Sequence, residues 1–300
     1  MYIISIHKNE PVSSGIRRIL HDLTDGVLFH CADRTDIHMS IHEIRRNLKK
    51  IRAILRLIKD VPGYKDYDHD NQFYRDMGRI LSEIRSIEIL DTSLQLMRSK
   101  FRHLRYHHSF DKISKQIFQN RNEIIKNKIE KERVLDYIAS EIGENNYRLT
   151  EIQLDYNSYS VFLSGIKRAF SQGRKYMKIC RENPDIHSIH EFRKKVKYLL
   201  SQLQVVYQLF PEMFKTYISI LDKIGDRLGI YRDLYELAEF ISHNSVDNEL
   251  QQLLPKLNEV IDKIKYRHLY VAMQYSEKFF ALDTKSFFNQ VEKYISLHEQ

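Results

Sequence analysis

Proline and glycine are scarce in this chain, 5 and 9 in 300 residues. That is about 5% of the chain, against an average near 12%. Few breakers imply long uninterrupted elements, and here those are expected to be helices. Cysteine is nearly absent as well. Cys31 and Cys180 form no Cys-x-x-Cys pair, which excludes a zinc ribbon and a disulfide framework and leaves reduced thiols in a cytosol as the expectation. No apolar run approaches 18 residues, so a membrane-spanning helix is excluded. Met1 to Glu10 lacks a basic patch followed by an apolar run, so no secretory signal is expected and the location is expected to be cytoplasmic.

What remains is apolar enough to build a large core, at 42% hydrophobic residues, and wet enough to be soluble, at 29% charged residues. Lys and Arg exceed Asp and Glu by 8, with a pI near 9.2. That excess points to a phosphate-rich partner, a nucleic acid or an anionic membrane, but the placement of the charges decides more than their sum. Apolar residues recur with helical period almost throughout. The pattern predicts helices over 13–30, 38–60, 69–88, 91–105, 110–139, 155–180, 186–209, 212–226, 232–243, 248–276 and 284–297. No alternation is long enough to argue for a sheet. Pro62-Gly63 and Asn183-Pro184-Asp185 are the clear breaks, and the polar stretch from Gly143 to Asn146 is the expected joint between halves.

The chain repeats itself. Residues Ile41 to Ile51 read IHEIRRNLKKI, and 148 positions later Ile189 to Leu199 read IHEFRKKVKYL. GIRRIL from Gly15 returns as GIKRAF from Gly165, an offset of 150, and LSEIRSIEIL from Leu81 returns more weakly as LGIYRDLYEL from Leu228, an offset of 147. Three anchors in one order at nearly one offset predict a duplicated unit, with copies at 1–150 and 151–300.

The charge pattern sits on the first of these anchors. His42, Arg45, Lys49, Arg52 and Arg56 are spaced 3, 4, 3, 4, and so share one helical face. Ile41, Ile44, Leu48, Ile51, Leu55 and Ile58 form a second row, about 110° away. The apolar row packs; the basic row runs along its flank for about 21 Å, a length suited to an extended anion. In the second copy His190, Arg193 and Lys197 form the row, Lys194 and Lys195 add charge beside it, and Ser201 and Gln204 continue it without charge. A solvated helix face normally mixes signs, whereas these rows contain no carboxylate. Arginine suits phosphate because its planar fork donates two hydrogen bonds and keeps its charge. A histidine beside an anion is favoured in its protonated form. Arg168, Arg174 and Lys175 lie near the second copy of the glycine anchor, and Arg75, Arg79, Arg85 and Arg232 on the helices after the stripe helices. For Arg79, Arg85 and Arg232, spacing alone leaves binding and surface roles equally open.

No catalytic or cofactor motif accompanies the rows. Gly-x-x-x-x-Gly-Lys and Gly-x-Gly-x-x-Gly are absent, and His42-Glu43 runs on to Arg46, so His-Glu-x-x-His is absent too. His187 and His190 have no third ligand in the sequence near them, so no metal is expected. Glu43 and Glu191 point about 100° from their histidines and read as partners of neighbouring basic residues. The expectation is a protein that holds an anion without catalysis, needs no cofactor and engages no membrane.

IHEIRRNLKKIRAILRLIKD and IHEFRKKVKYLLSQLQVV resemble the two signature helices of CHAD domains, the histidine-containing α-helical domains associated with inorganic polyphosphate. GIKRAFSQGRKY and FYRDMGRILSEIRSIEIL resemble further family segments in the expected order. The resemblance covers nearly the whole chain. It implies an all-α fold of two antiparallel four-helix bundles related by a pseudo-twofold axis, with basic stripes lining a central cleft. It also implies polyphosphate binding, localisation at polyphosphate granules, and polyphosphate-metabolising enzymes as separate partners. By motif it carries over to His42, Arg45, Lys49, Arg52, Arg75, Arg79 and Arg85, and to His190, Arg193, Lys194, Lys195 and Lys197. Leu200, Ser201 and Ser86 depart from the family pattern, which predicts a weaker second stripe. A nucleic-acid-binding helical protein, with some of the 19 Tyr and 15 Phe as stacking platforms, is the alternative; a phosphohydrolase, predicting Mg²⁺-dependent phosphate release, is a third reading.

Overall fold

The computed structural model describes residues 4–100, 107–150, 152, 154, 157–244 and 248–300. Among them all regular structure is helical. The α-helices are α1 (Val12–Ala32), α2 (Ile37–Leu57), α3 (Tyr67–Ile80), α4 (Ser82–Lys100), α5 (His107–Ile125), α6 (Val134–Thr150), α7 (Leu163–Glu182), α8 (Ile186–Val205), α9 (Pro211–Asn244), α10 (Asn248–Phe279) and α11 (Thr284–His298).

The two stripe helices start by the same chemistry. Asp36 accepts a hydrogen bond from the Met39 amide at 3.0 Å, and Asp185 from the Ser188 amide at 2.9 Å. Each aspartate satisfies an amide that the first turn of a helix leaves unpaired, worth about 1 kcal/mol. Ser40 and Ser188, equivalent in the repeat, are both buried and both return a hydroxyl to the preceding loop, at the carbonyls of Asp33 and Asn183. After α2 the chain turns at Gly63, whose φ of 93° favours glycine.

Several boundaries differ from those the periodicity predicts. The stretch 110–139 is not one helix: a π-helical turn, Lys126–Lys131, follows α5, and Arg133 takes a φ of 51° before α6 begins. Gly143 to Asn146 is no joint, because α6 runs through it. The segments 212–226 and 232–243 form the single helix α9, across a Leu-Gly pair that does not interrupt it. The break between α3 and α4 falls at Leu81 and not near Ile89, and 101–105 lies outside the described residues.

Helix α1 packs on α2 and α6, α2 on α3, α7 on α8 and α11, α8 on α9, and α9 on α10. The stripe helices α2 and α8 pack on one another, and the buried Gln202 amide donates to the Ala53 carbonyl between them at 3.2 Å. One buried cluster runs from α1 and α2 to α7, α8 and α11. A second joins α4 and α5 to the far end of α9 and to α10, through residues such as Leu94, Met97, Ile117, Leu237 and Ile261. Apolar packing therefore crosses residue 150 in both places. Cys31 and Cys180 are buried free thiols, pushed up to about 12 and about 11 by burial.

Helix α7 reaches α2 at Gly165, where a side chain would run into the Leu57 carbonyl and come within 2.8 Å of its Cα. Gly143 has nothing within 4 Å of the same position. Alanine at these two glycines should therefore act in opposite directions. Gly165→Ala must push two backbones apart and is expected to cost about 1–3 kcal/mol. Gly143→Ala, in a helix interior, is expected to stabilise by up to about 1 kcal/mol. Urea denaturation midpoints of the two variants would check both signs.

Candidate anion-binding surface

The packing of α2 on α8 brings cations of both copies together. Arg45 and Lys49 of α2 and Arg85 of α4 act electrostatically on one another and on Arg193 of α8 and Arg232 of α9. Arg45 and Arg193 are held alike. The Arg45 guanidinium donates to the Gly78 carbonyl, and Arg193 Nε donates to the Gly225 carbonyl at 3.2 Å. The four residues are repeat partners, 148 and 147 positions apart. On α9 two glycines make room for the α8 row: a side chain at Gly225 would run into Lys197. A side chain at Gly229 would meet Arg193 Nε at 3.2 Å.

The like charges are felt in their ionisation. Burial, followed by Arg85 and Arg232, pushes Arg45 down to about 10, which still leaves it charged at neutral pH. Surrounding protein strips hydration from Lys49, and Arg45, Arg193, Arg232 and Arg85 add repulsion, pushing it down to about 7. Solvent nevertheless reaches the Lys49 side chain, so an incoming anion can meet it. Beside it on α2, Lys50 is pushed down to about 8 by burial and Arg46, a perturbed lysine that the spacing argument did not pick out. The two histidines are shifted the same way. His42 is lowered by burial and by Arg85; His190 is lowered to about 4 by burial and by Arg232. Arg232 lies 3.2 Å from His190 Nδ1. Since arginine can only donate, Nδ1 accepts, and the imidazole proton stands on Nε2.

Away from this cluster the two rows differ. On α2, Arg52 Nε donates to Asn71 Oδ1 at 3.2 Å, while Arg56 donates to Asn71 and to the Arg52 carbonyl and lies 4.5 Å from the centre of the Tyr198 ring. Among the described residues no carboxylate pairs with Arg45, Lys49, Arg52 or Arg56. On α8, Lys197 donates to Asp222 at 2.9 Å and to Asp226 at 3.0 Å, both on α9. Lys194 pairs with Glu191. Arg232 pairs with Glu236 at 2.5 Å. Asp233 faces Arg193 and Arg232 but has its pKa raised, because burial outweighs them. Glu43 pairs with Arg46 at 2.5 Å, so it and Glu191 are partners of neighbouring basic residues, as their angle on the helix predicts.

Other predicted site residues sit apart from the cluster. Arg168 donates to Asp60 and to the Arg56 carbonyl, at the far end of the first row. Arg79 is exposed and 3.4 Å from Asp76. Arg174 donates to the Phe280 carbonyl at 3.3 Å, and Lys175 is exposed on α7. Besides Lys50, the polar residues that spacing did not find are Asn71, Asp222 and Asp226. The last two had a signal: Asp222, Asp226, Gly229, Asp233 and Glu236 are spaced 4, 3, 4, 3 on one face of α9.

Crowding at Lys49 has a sign that can be measured. Its folded pKa, about 7, lies below the ordinary value of 10.5. The unfolded chain therefore binds more protons across that window, so stability rises with pH through it, and the penalty is complete below about 7. Lys49→Met is expected to be more stable than the parent near pH 6.5, with the gap narrowing toward pH 9. Thermal midpoints at both pH values would show it, and a gap that does not change with pH would count against it.

The family profile of the CHAD domain matches residues 18–242. Among solved structures, the crystal structure of the CHAD domain from the plant Ricinus communis superposes with a TM-score of 0.56 at 16% identity, covering 94% of this chain and 96% of that one. No curated protein sequence matches the chain. With a profile match over most of its length and a helical fold shared with a solved member, the chain belongs to the CHAD domain family.

Proposed function

We propose that this protein binds inorganic polyphosphate without catalysis, holding the phosphate chain along the α2 row and the cation cluster where α2 meets α8. The observation that carries the reading is the α2 row itself. Four successive cations of the row, Arg45, Lys49, Arg52 and Arg56, have no carboxylate partner among the described residues. Such a row is unfavourable alone and becomes favourable when a polyanion replaces its counterions. The family resemblance supplies the ligand class and two further expectations: two pseudo-symmetric bundles with the stripes lining a cleft between them, and residence in the cytoplasm at polyphosphate granules beside separate polyphosphate-metabolising enzymes. No helix of the described residues is long and apolar enough to cross a membrane.

An extended row predicts affinity that rises with phosphate chain length and falls steeply with salt. About five phosphate contacts would lose on the order of a hundredfold in affinity between about 50 and 200 mM salt. Arg45→Ala combined with Arg193→Ala should weaken binding by at least about tenfold with helicity unchanged. Bound phosphates should also draw Lys49 back toward its ordinary pKa, so that binding near pH 8 takes up protons. Calorimetric titration with long-chain polyphosphate, repeated in buffers of different ionisation enthalpy and with RNA as competitor, tests all of this. Length-independent binding would argue against the extended row, and easy displacement by RNA would transfer the site to the nucleic-acid reading.

A further inference from the structure

Beyond the shared cluster, the two copies offer an anion different surroundings. The repeat offset of 147 that relates Leu81 to Leu228 also relates Gly78 to Gly225 and Arg85 to Arg232. It sets Arg75 against Asp222, Arg79 against Asp226, and Ser86 against Asp233. At each of these three positions the second copy is more acidic than the first. The acidic groups are engaged with the α8 row: Asp222 and Asp226 both accept from Lys197, and Asp233 faces Arg193. The row itself fades in the same direction, since Ser201 follows Lys197 and returns its hydroxyl to the Lys197 carbonyl. In the first copy the row continues instead. Arg52 and Arg56 follow Lys49 with no carboxylate partner among the described residues, and Arg75 acts on Arg52 from α3; Arg75 and Arg79 share the one carboxylate of Asp76, at 3.5 and 3.4 Å, more loosely than Asp222 and Asp226 hold Lys197 at 2.9 and 3.0 Å.

We infer that a bound phosphate chain leaves the shared cluster in one direction only, along α2 and α3, because Asp222 and Asp226 occupy Lys197 and close the corresponding path along α8 and α9. This rests on the polyphosphate reading above and adds a polarity to it. The carboxylates act twice: they hold the only stripe cation beyond the cluster on α8, and they repel the phosphates that would compete for it. Asp222 and Asp226 thus become determinants of how many phosphates the protein covers, although neither would contact the ligand.

The test uses the full chain and polyphosphate of short and long defined length, with circular dichroism to confirm folding. Arg75→Asp with Arg79→Asp places the second copy's residues in the first, at partly and fully exposed positions on α3. It should lower long-chain affinity at least tenfold while short-chain affinity changes less than threefold. Asp222→Asn with Asp226→Asn keeps side-chain volume and should raise long-chain affinity at least threefold. Lys197→Ala should cost less than twofold in the parent and at least fivefold in the Asp222→Asn, Asp226→Asn background. Equal losses from Lys197→Ala and Arg52→Ala in the parent, or no gain from the asparagine variant, would overturn the polarity while leaving polyphosphate binding intact. Failure of the parent to bind either polyphosphate would overturn the functional reading, and the polarity with it.

Discussion

The apolar rows of α2 and α8 belong to one buried cluster, and the packing of the two helices on one another makes their rows of like charge share one neighbourhood. Ile41, Ile44, Leu48, Ile51 and Leu55 of α2, and Ile189, Phe192, Val196, Leu199 and Leu203 of α8, are almost wholly buried. Each contributes about 1.5–3 kcal/mol on leaving water. A like-charge pair at helical spacing costs only a few tenths of a kcal/mol, so the core wins and the cations must settle where it leaves them. Their resolution is local. Arginines turn to glycine carbonyls on the following helix, and Lys49 and both histidines lose basicity. In the proposed reading, affinity for an anion is the other side of a strain that the core imposes.

How far the sequence discloses this depends on the kind of signal. The α2 and α8 rows were legible because one helix carries both the apolar and the basic period, with the Asp caps close upstream. The acidic row of α9 was hidden by a boundary: splitting the helix near Gly229 cut the 4, 3, 4, 3 spacing in two. Leu-Gly looks like a helix end, yet Gly225 and Gly229 are there to admit Lys197 and Arg193, a tertiary reason with no local trace. The turn at Arg133 escaped for the opposite reason, since nothing in a run of charged residues announces a positive φ. Spacing could not tell which way Arg79 and Arg174 turn either, because Asp76 and the Phe280 carbonyl compete for them.

The two repeated segments share their mechanics and differ in charge. Aspartate caps, buried serines and the arginine-to-glycine-carbonyl contact recur in both copies. These serve folding, which constrains both copies equally. The exposed positions of α3 and α9 serve no core and differ in sign. Packing also ties the copies together: with α4 and α5 resting on α9 and α10, half of the chain alone would expose an apolar face that the other half now covers.

The buried cysteines carry one more consequence. A thiol held protonated far above neutral pH is a poor nucleophile and a slow target for oxidants. Cys31 and Cys180 therefore behave as small apolar fillers, and the fold neither draws on the redox state of its surroundings nor records it. A cysteine introduced at an exposed place on α3 or α9 would react against a silent background, so a probe could follow the path of a bound chain with both native thiols left in place.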